Sequence, residues 1–396
     1  MEDSALPILE LGLLFLAAAI FGLVARRFGL PAVIGYLLVG LVAFQLLPDA
    51  NKPDHEQVRL LADVGVILLL FEVGIELDVG RLRREHRALL AASPGQILTT
   101  TAVSGAVLSL VGQPLSVALI LGLCVAMSSS VVVVNITRSV RRRTNRATEL
   151  SMLGWSLLQD LTGVILGAFL LAFWNTEDRD PIEALVGLGL FSIVALVAAR
   201  LFPVALGRLR EFPDLFLLVS IAGGLVGAGI GAVLFGIPLA LAAFVAGLVI
   251  ADSPVAMEAR RRLLPFRDVF AVLFFVSVGS LLDPQALLGG LGWLFLFLAL
   301  MLLAKSLVIY AYARLSRLER PSQVATGLSQ LGEFSFVLVS LLWLERDVSP
   351  ELYAGLLGAI TLTIGASAVV VRLPLAGWTR GAEEFHEHAS SAAGMA

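Results

Sequence analysis

LSMLGWSLLQDLTGVILGAFLLAFW, residues 150–174, is an apolar run with one ionisable side chain, Asp160. The run is long enough to cross a bilayer as a helix. A carboxylate near the centre of such a helix costs roughly 2.5–3.5 kcal/mol on insertion scales. A chain that keeps one there is expected to use it for ions or protons, and the plainer alternative is a hydrogen bond to a neighbouring helix. Gln159 precedes it, so the polar pair Gln159-Asp160 sits on an otherwise oily helix.

The whole chain has the same character. It is 58% hydrophobic and 15% charged, where soluble proteins carry about 25% charged residues. It reads as a polytopic membrane protein. The acidic start MEDSALPILE lacks the basic region of a signal peptide. Cys124 is the single cysteine, which excludes an intrachain disulfide. The four histidines, His55, His86, His386 and His388, fall in expected loops or the tail, away from any span. There is no P-loop and no nucleophile–histidine pairing, so an enzyme is not expected. Gly227-Ala228-Gly229-Ile230-Gly231 brushes against a dinucleotide fingerprint, but it lies inside an apolar span, where small residues serve close helix packing.

Thirteen apolar segments are predicted: 7–25, 31–48, 58–76, 88–111, 115–137, 148–174, 182–205, 214–234, 238–251, 267–282, 286–313, 322–344 and 351–373. Charge alternates between their loops. One set of loops, around Arg26, Arg84, Arg142, Arg208, Arg261, Arg317 and Arg372, holds 23 of the 28 basic residues. The positive-inside rule puts that set in the cytoplasm, with the N-terminus outside and the C-terminus inside. An odd number of spans fits. The Arg141-Arg142-Arg143 cluster is then a topology signal, and nucleic acid is not an expected partner.

Two motifs recur. Phe28-Gly29-Leu30-Pro31 with Gly40-Leu41-Val42 returns as Phe235-Gly236-Ile237-Pro238 with Gly247-Leu248-Val249. Val73-Gly74-Ile75-Glu76-Leu77-Asp78 returns as Val278-Gly279-Ser280-Leu281-Leu282-Asp283. The copies lie an odd number of segments apart and so face opposite ways. That pattern predicts an inverted-topology repeat, an architecture of secondary transporters with the site near the midplane. The halves are 31–174 and 238–373, joined by a linker helix over 182–205, within a transmembrane domain spanning 1–380; residues 381–396 form a short cytoplasmic tail expected to be disordered. The repeat pairs the fifth and twelfth segments, each interrupted by polar residues: Ser128-Ser129-Ser130 in one and Ser329-Gln330-Leu331-Gly332-Glu333 in the other. Broken helices at matching positions mark a transport site.

Depth agrees. Asp160 lies about 12 residues, or roughly 18 Å, inside its span, Glu333 is similarly deep, and Lys305 is about 12 Å deep. Asp160, Gln159 and Ser128–Ser130 are therefore the candidate ion and proton ligands, with Lys305 and Glu333 as charge compensation at the broken helices. Asp160 is the expected monovalent-cation site. A carboxylate open to alternate sides can exchange a proton for a cation, and one carboxylate favours electroneutral exchange. Glu72, Glu76 and Asp78 read as a rim paired with the basic loop Arg81–Arg87, a proton funnel being the weaker option. Asp283 reads as solvated.

With these residues in view, the chain resembles the monovalent cation:proton antiporter-2 family, in its sodium/hydrogen-exchanger-like fold. The resemblance is carried by Gln159-Asp160, Val66–Phe71 through Asp78, Phe274-Phe275-Val276-Ser277-Val278-Gly279, Lys305 and Gly332-Glu333-Phe334. It implies about 13 transmembrane helices, crossed broken helices, elevator-like exchange at Asp160 and a homodimer in the cell (inner) membrane, with no cofactor. Gln159 stands where related sodium exchangers carry a first aspartate. That resembles the Kef-type potassium-efflux branch and favours K⁺, with Na⁺ as the alternative. No nucleotide-binding domain follows residue 380, so gating by nucleotide or glutathione is not expected. Two other functions stay open: a sodium-coupled organic-anion symporter, and a proton-uncoupled cation channel or sensor.

Overall fold

Proline and glycine punctuate the chain into helices, and every described element is helical. The computed structural model describes residues 5–28, 30–46, 55–76, 89–138, 145–174, 181–344 and 348–370. The first helices are α1 (Ala5–Arg27), α2 (Ala32–Leu41, continued by a π-helical turn Val42–Leu46), α3 (His55–Glu76) and α4 (Leu89–Leu110). The fifth apolar segment is split into α5 (Leu115–Ala126) and α6 (Ser130–Arg138). Then come α7 (Arg146–Trp174), α8 (Pro181–Arg208), α9 (Pro213–Phe235), α10 (Leu239–Ala251) and α11 (Ala256–Ser280). A short α12 (Pro284–Gly289) leads into α13 (Leu291–Ala299), a π-helical segment Leu300–Lys305 and α14 (Ser306–Leu315). The twelfth segment is split as well, into α15 (Pro321–Leu328) and α16 (Phe334–Leu344), before α17 (Pro350–Val370). Six of the described helices are long and apolar enough to cross a membrane alone. The protein is an all-α polytopic membrane protein.

The helices gather into two bodies. In the first, α3 packs on α10 and α11, α2 on α11 and α1, and α9 on α10. In the second, α4 packs on α5 and α7, α13 on α17, α14 on α15, and α16 on α5. α8 leans on α10 and α7 and so touches both bodies. Its Val186, Leu190, Ile193, Val197, Leu201 and Val204 are exposed, an apolar surface suited to lipid.

The repeated motifs meet one another in the first body. A Cβ on Gly40 of α2 would overlap the Val276 carbonyl oxygen of α11, and one on Gly279 of α11 would overlap that of Leu37 on α2. The other pair does the same: Gly74 of α3 lies against the Phe244 carbonyl of α10, and Gly247 of α10 against that of Phe71 on α3. Each crossing thus joins one glycine from the first copy to one from the second. Small residues let membrane helices approach to backbone contact. Pro31 and Pro238 play equal parts, each standing as the residue before a short helix, at φ −60°, ψ 145° and φ −52°, ψ 135°. Proline suits a helix start, because its missing N–H would have no intrahelical acceptor there. Gly227 and Gly231 press on Ala246 and Ala242 of α10, the close packing expected of that motif.

The helix boundaries depart from the sequence expectation at one informative place. The tenth span was expected to begin at 267, but α11 begins at Ala256. Arg260, Arg261 and Arg262 are therefore helical rather than in a loop. The apolar run ends where the helix enters the charged interface; the backbone carries on. The tail 381–396, Asp78, the loop Arg81–Arg87 and the Arg141–Arg143 cluster lie outside the described residues.

Candidate functional site

The two interruptions cross. α5 stops at Ala126, and Met127 turns to extended backbone at φ −83°, ψ 143°. α15 stops at Leu328, and α16 resumes at Phe334. A Cβ on Gly332 would come within 2.9 Å of the Ser128 carbonyl oxygen, so glycine is what lets the two unwound segments pass this closely. Each break is tied to the other. Ser128 Oγ donates to the Leu328 carbonyl at 2.5 Å, and Ser335 Oγ donates to the Cys124 carbonyl at 2.8 Å. Gln330 Nε2 donates to the Ser129 carbonyl at 3.4 Å. The Leu331 amide donates to Thr363 Oγ1 of α17 at 3.2 Å.

Breaking a helix leaves carbonyls without intrahelical donors and a partial negative charge at each C-terminal end. Two such ends, those of α5 and α15, meet here in a buried place. Lys305 answers both: its Nζ donates to the Met127 and Gln330 carbonyls, each at 2.6 Å. The side chain is wholly buried. It sits at the last residue of the π-helical segment, a kind of irregularity often found at functional sites. Lys305 thus compensates the ends of the broken helices.

Asp160 lies on α7, 6% exposed. Ser130, the first residue of α6, is within hydrogen-bonding reach of its carboxylate, and the Glu333 charge is close enough to act on it. Met127 packs over Gly163, one turn further along α7. Among the described residues Asp160 forms no ion pair. Glu333 is half-buried and immediately precedes α16, where a carboxylate favours the positive helix end. The three candidate serines separate. Ser130 faces Asp160. The Ser128 hydroxyl is committed to Leu328, and Ser129 Oγ accepts from the Val132 amide at 3.3 Å as the cap of α6.

Gln159 turns toward α4. Its Nε2 donates to Gln96 Oε1 at 2.5 Å. Gln96 Oε1 also accepts from Trp155 Nε1 at 3.4 Å, and Gln96 Nε2 donates to Thr100 Oγ1 at 3.1 Å and the Ala126 carbonyl at 3.2 Å. Ser93 Oγ donates to the Trp155 carbonyl at 3.1 Å. Sequence reasoning did not single out Gln96. The signal available was a run of Ser93, Gln96, Thr100 and Ser104 at three- and four-residue spacing on one helix face.

A second charged cluster lies on the first body. Glu72 of α3 is 1% exposed and accepts from Arg260 Nε at 2.5 Å and Arg267 Nη1 at 2.8 Å. Glu76 pairs with Arg260 Nη2 at 2.8 Å. The rim is charge-paired as expected, but these partners come from α11, not from the loop Arg81–Arg87. Asp283 caps α12, accepting from the Gln285 amide at 2.8 Å.

Comparison with known proteins decides the class. The model of the family described as "Sodium/hydrogen exchanger, transmembrane" matches residues 13–376. The chain belongs to that family. An exchanger of this kind is a transporter, not an enzyme. The chain is 32% identical over 340 residues to "Putative cation/proton antiporter YbaL" of Escherichia coli (strain K12), a match covering 82% of this chain and 60% of that protein. The chain thus spans about three fifths of that relative's length. The fold is similar to the sodium proton antiporter MjNhaP1 from Methanocaldococcus jannaschii, with a TM-score of 0.74 at 18% identity, covering 95% of this chain and 100% of that one.

Proposed function

We propose that this exchanger swaps a monovalent cation for a proton at Asp160, one for one, with K⁺ favoured over Na⁺. The observation that carries the reading is the commitment of Lys305 to two helix ends, which leaves Asp160 buried without a cationic partner among the described residues. A bare carboxylate in a dry site is costly. The site is therefore stable with a proton or with a cation, and unstable with neither. Movement between the two faces of the membrane then follows occupancy, and that is what couples the two fluxes. Because one negative charge is neutralised by one positive charge in both states, no net charge moves. Gln159 in place of a carboxylate leaves Asp160 as the one charge of that pair, which supports a 1:1 exchange and a weakly hydrated cation.

The body of α4–α7 and α13–α17 carries the site past the body of α1–α3 and α9–α11, in an elevator-like motion with α8 as the connection. The glycine crossings support a rigid first body; the reciprocal joining of the two sequence motifs supports the inverted repeat. The arginine-bearing ends face the cytoplasm, and the working unit is a homodimer in the cell membrane.

The test is exchange in proteoliposomes with an internal pH dye, adding K⁺, Na⁺ or Li⁺ outside. Cation addition moves protons, and Asp160→Asn abolishes the response. Retained exchange in that variant, or a current on a planar bilayer that follows the ion gradients, overturns the proposal. A response to organic anions instead would support a symporter, and cation flux without proton movement a channel.

A further inference from the structure

We infer that Gln96 is a positioning residue for the cation site, fixing the amide of Gln159 so that its carbonyl oxygen, not its NH₂ group, is offered as a neutral ligand beside Asp160. This rests on the exchange reading above and deepens it.

The orientation of a glutamine amide is set by partners that can act in one sense only. Gln96 has such partners on both sides. The Ala126 carbonyl can only accept, so the atom facing it must be Gln96 Nε2. The Trp155 indole can only donate, so the atom facing it must be Gln96 Oε1. With Gln96 fixed at both ends, its Oε1 presents an acceptor to Gln159. The Gln159 NH₂ must turn toward it, and does, at 2.5 Å.

The consequence lies at the other end of the Gln159 amide. Its Oε1 is buried and has no hydrogen-bond partner among the described residues, on a side chain that is itself fully buried. An unpaired buried carbonyl is costly, and a cation ligated there recovers that cost. A flipped amide would place an NH₂ group at this position and repel the cation. The string also reaches the broken helix: Gln96 holds the Ala126 carbonyl, and Lys305 holds the next one, that of Met127. The amide register of Gln159 is thereby tied to the end of α5.

The experiment measures cation-dependent exchange in proteoliposomes for wild type, Gln96→Met, Gln96→Asn, Gln159→Met and the double variant Gln96→Met/Gln159→Met, with Asp160→Asn as the control for the underlying reading. Losing one neutral ligand raises the half-saturating K⁺ concentration about fivefold to tenfold, the equivalent of one hydrogen bond, with the maximal rate within about twofold. Gln96→Met and Gln96→Asn both show that rise. Gln96→Asn keeps the polarity of the site but withdraws its oxygen by one methylene, so it serves if the methionine variant does not fold. The double variant is no worse than Gln159→Met alone, because Gln96 acts through Gln159. Unchanged half-saturation in folded Gln96 variants, a fall in maximal rate alone, or additive effects in the double variant overturns the inference. Exchange that survives in Asp160→Asn marks instead the failure of the underlying reading.

Discussion

Glu72 and Asp160 are both buried carboxylates on membrane helices, and their surroundings are opposite. Glu72 is gripped by two arginines, with charge-assisted bonds at 2.5 and 2.8 Å. Asp160 has a serine within reach, two other carboxylates, Glu333 and Glu76, near enough to act on it, and no cation from the protein among the described residues. Lys305, the candidate the sequence offers, is spent on carbonyls. The difference teaches how to sort buried charge. A carboxylate whose compensation is built in holds the fold together; one whose compensation must arrive from outside does work on what arrives.

The largest effect should come from removing the uncompensated charge. Asp160→Asn is expected to abolish cation-driven proton movement while leaving the thermal unfolding midpoint in detergent unchanged or raised, since a costly buried charge is gone. A lowered midpoint would mean that Asp160 holds the fold, and the contrast with Glu72 would collapse. Glu72→Leu is expected to do the reverse. It removes the buried partner the two arginines share and leaves Arg260 to Glu76 and Arg267 to Asp268; breaking a buried pair costs up to about 3–5 kcal/mol, so the midpoint should drop in a melt followed by tryptophan fluorescence. Lys305→Met comes next. Uncapping two carbonyls that accept from a charged donor should cost about 2–3 kcal/mol, and exchange should fall with stability, because both breaks loosen together.

Proton–cation competition gives a graded test. If one site takes either ion, lowering the pH in the range where protons compete should raise the half-saturating cation concentration about tenfold per unit, with an unchanged maximal rate. A rate that falls at constant half-saturation would point to a proton site elsewhere. The smallest effect is expected for Ser130→Ala, which removes one hydrogen bond worth about 1 kcal/mol and should shift half-saturation by no more than about fivefold in the same vesicle assay.

Much of this contrast was legible in the sequence, for a physical reason. The bilayer taxes polar residues so heavily that Asp160, Lys305, Glu333 and the two polar breaks stand out from an oily background. The structure places all of them around one crossing. Partners were far less legible, because pairing is decided by tertiary contact. Glu72 was assigned to the adjacent loop, yet its arginines come from α11, distant in sequence. They reach it because Arg260 and Arg267 are seven residues apart, two helical turns, on one face of a helix that continues beyond its apolar run. Gln96 stayed hidden for a related reason. A neutral amide in a span costs much less than a charge and raises no alarm until its donors and acceptors are traced. The serines show a third limit, since three in a row read alike, and only the path of the backbone separates the one that faces Asp160 from the two that hold the breaks together.

The π-helical segment Leu300–Lys305 has a consequence of its own. A helix with one surplus residue is out of phase with itself on either side of the surplus. Before it, α13 lays a face on α17; after it, α14 turns a different face to α15 and α4. The extra residue lets one rod serve two sets of neighbours that a regular helix would have to choose between. Deleting a single residue between Leu300 and Ala304 would leave the composition almost untouched and rotate everything beyond by about 100°. Lys305 would be swung off both carbonyls without being mutated.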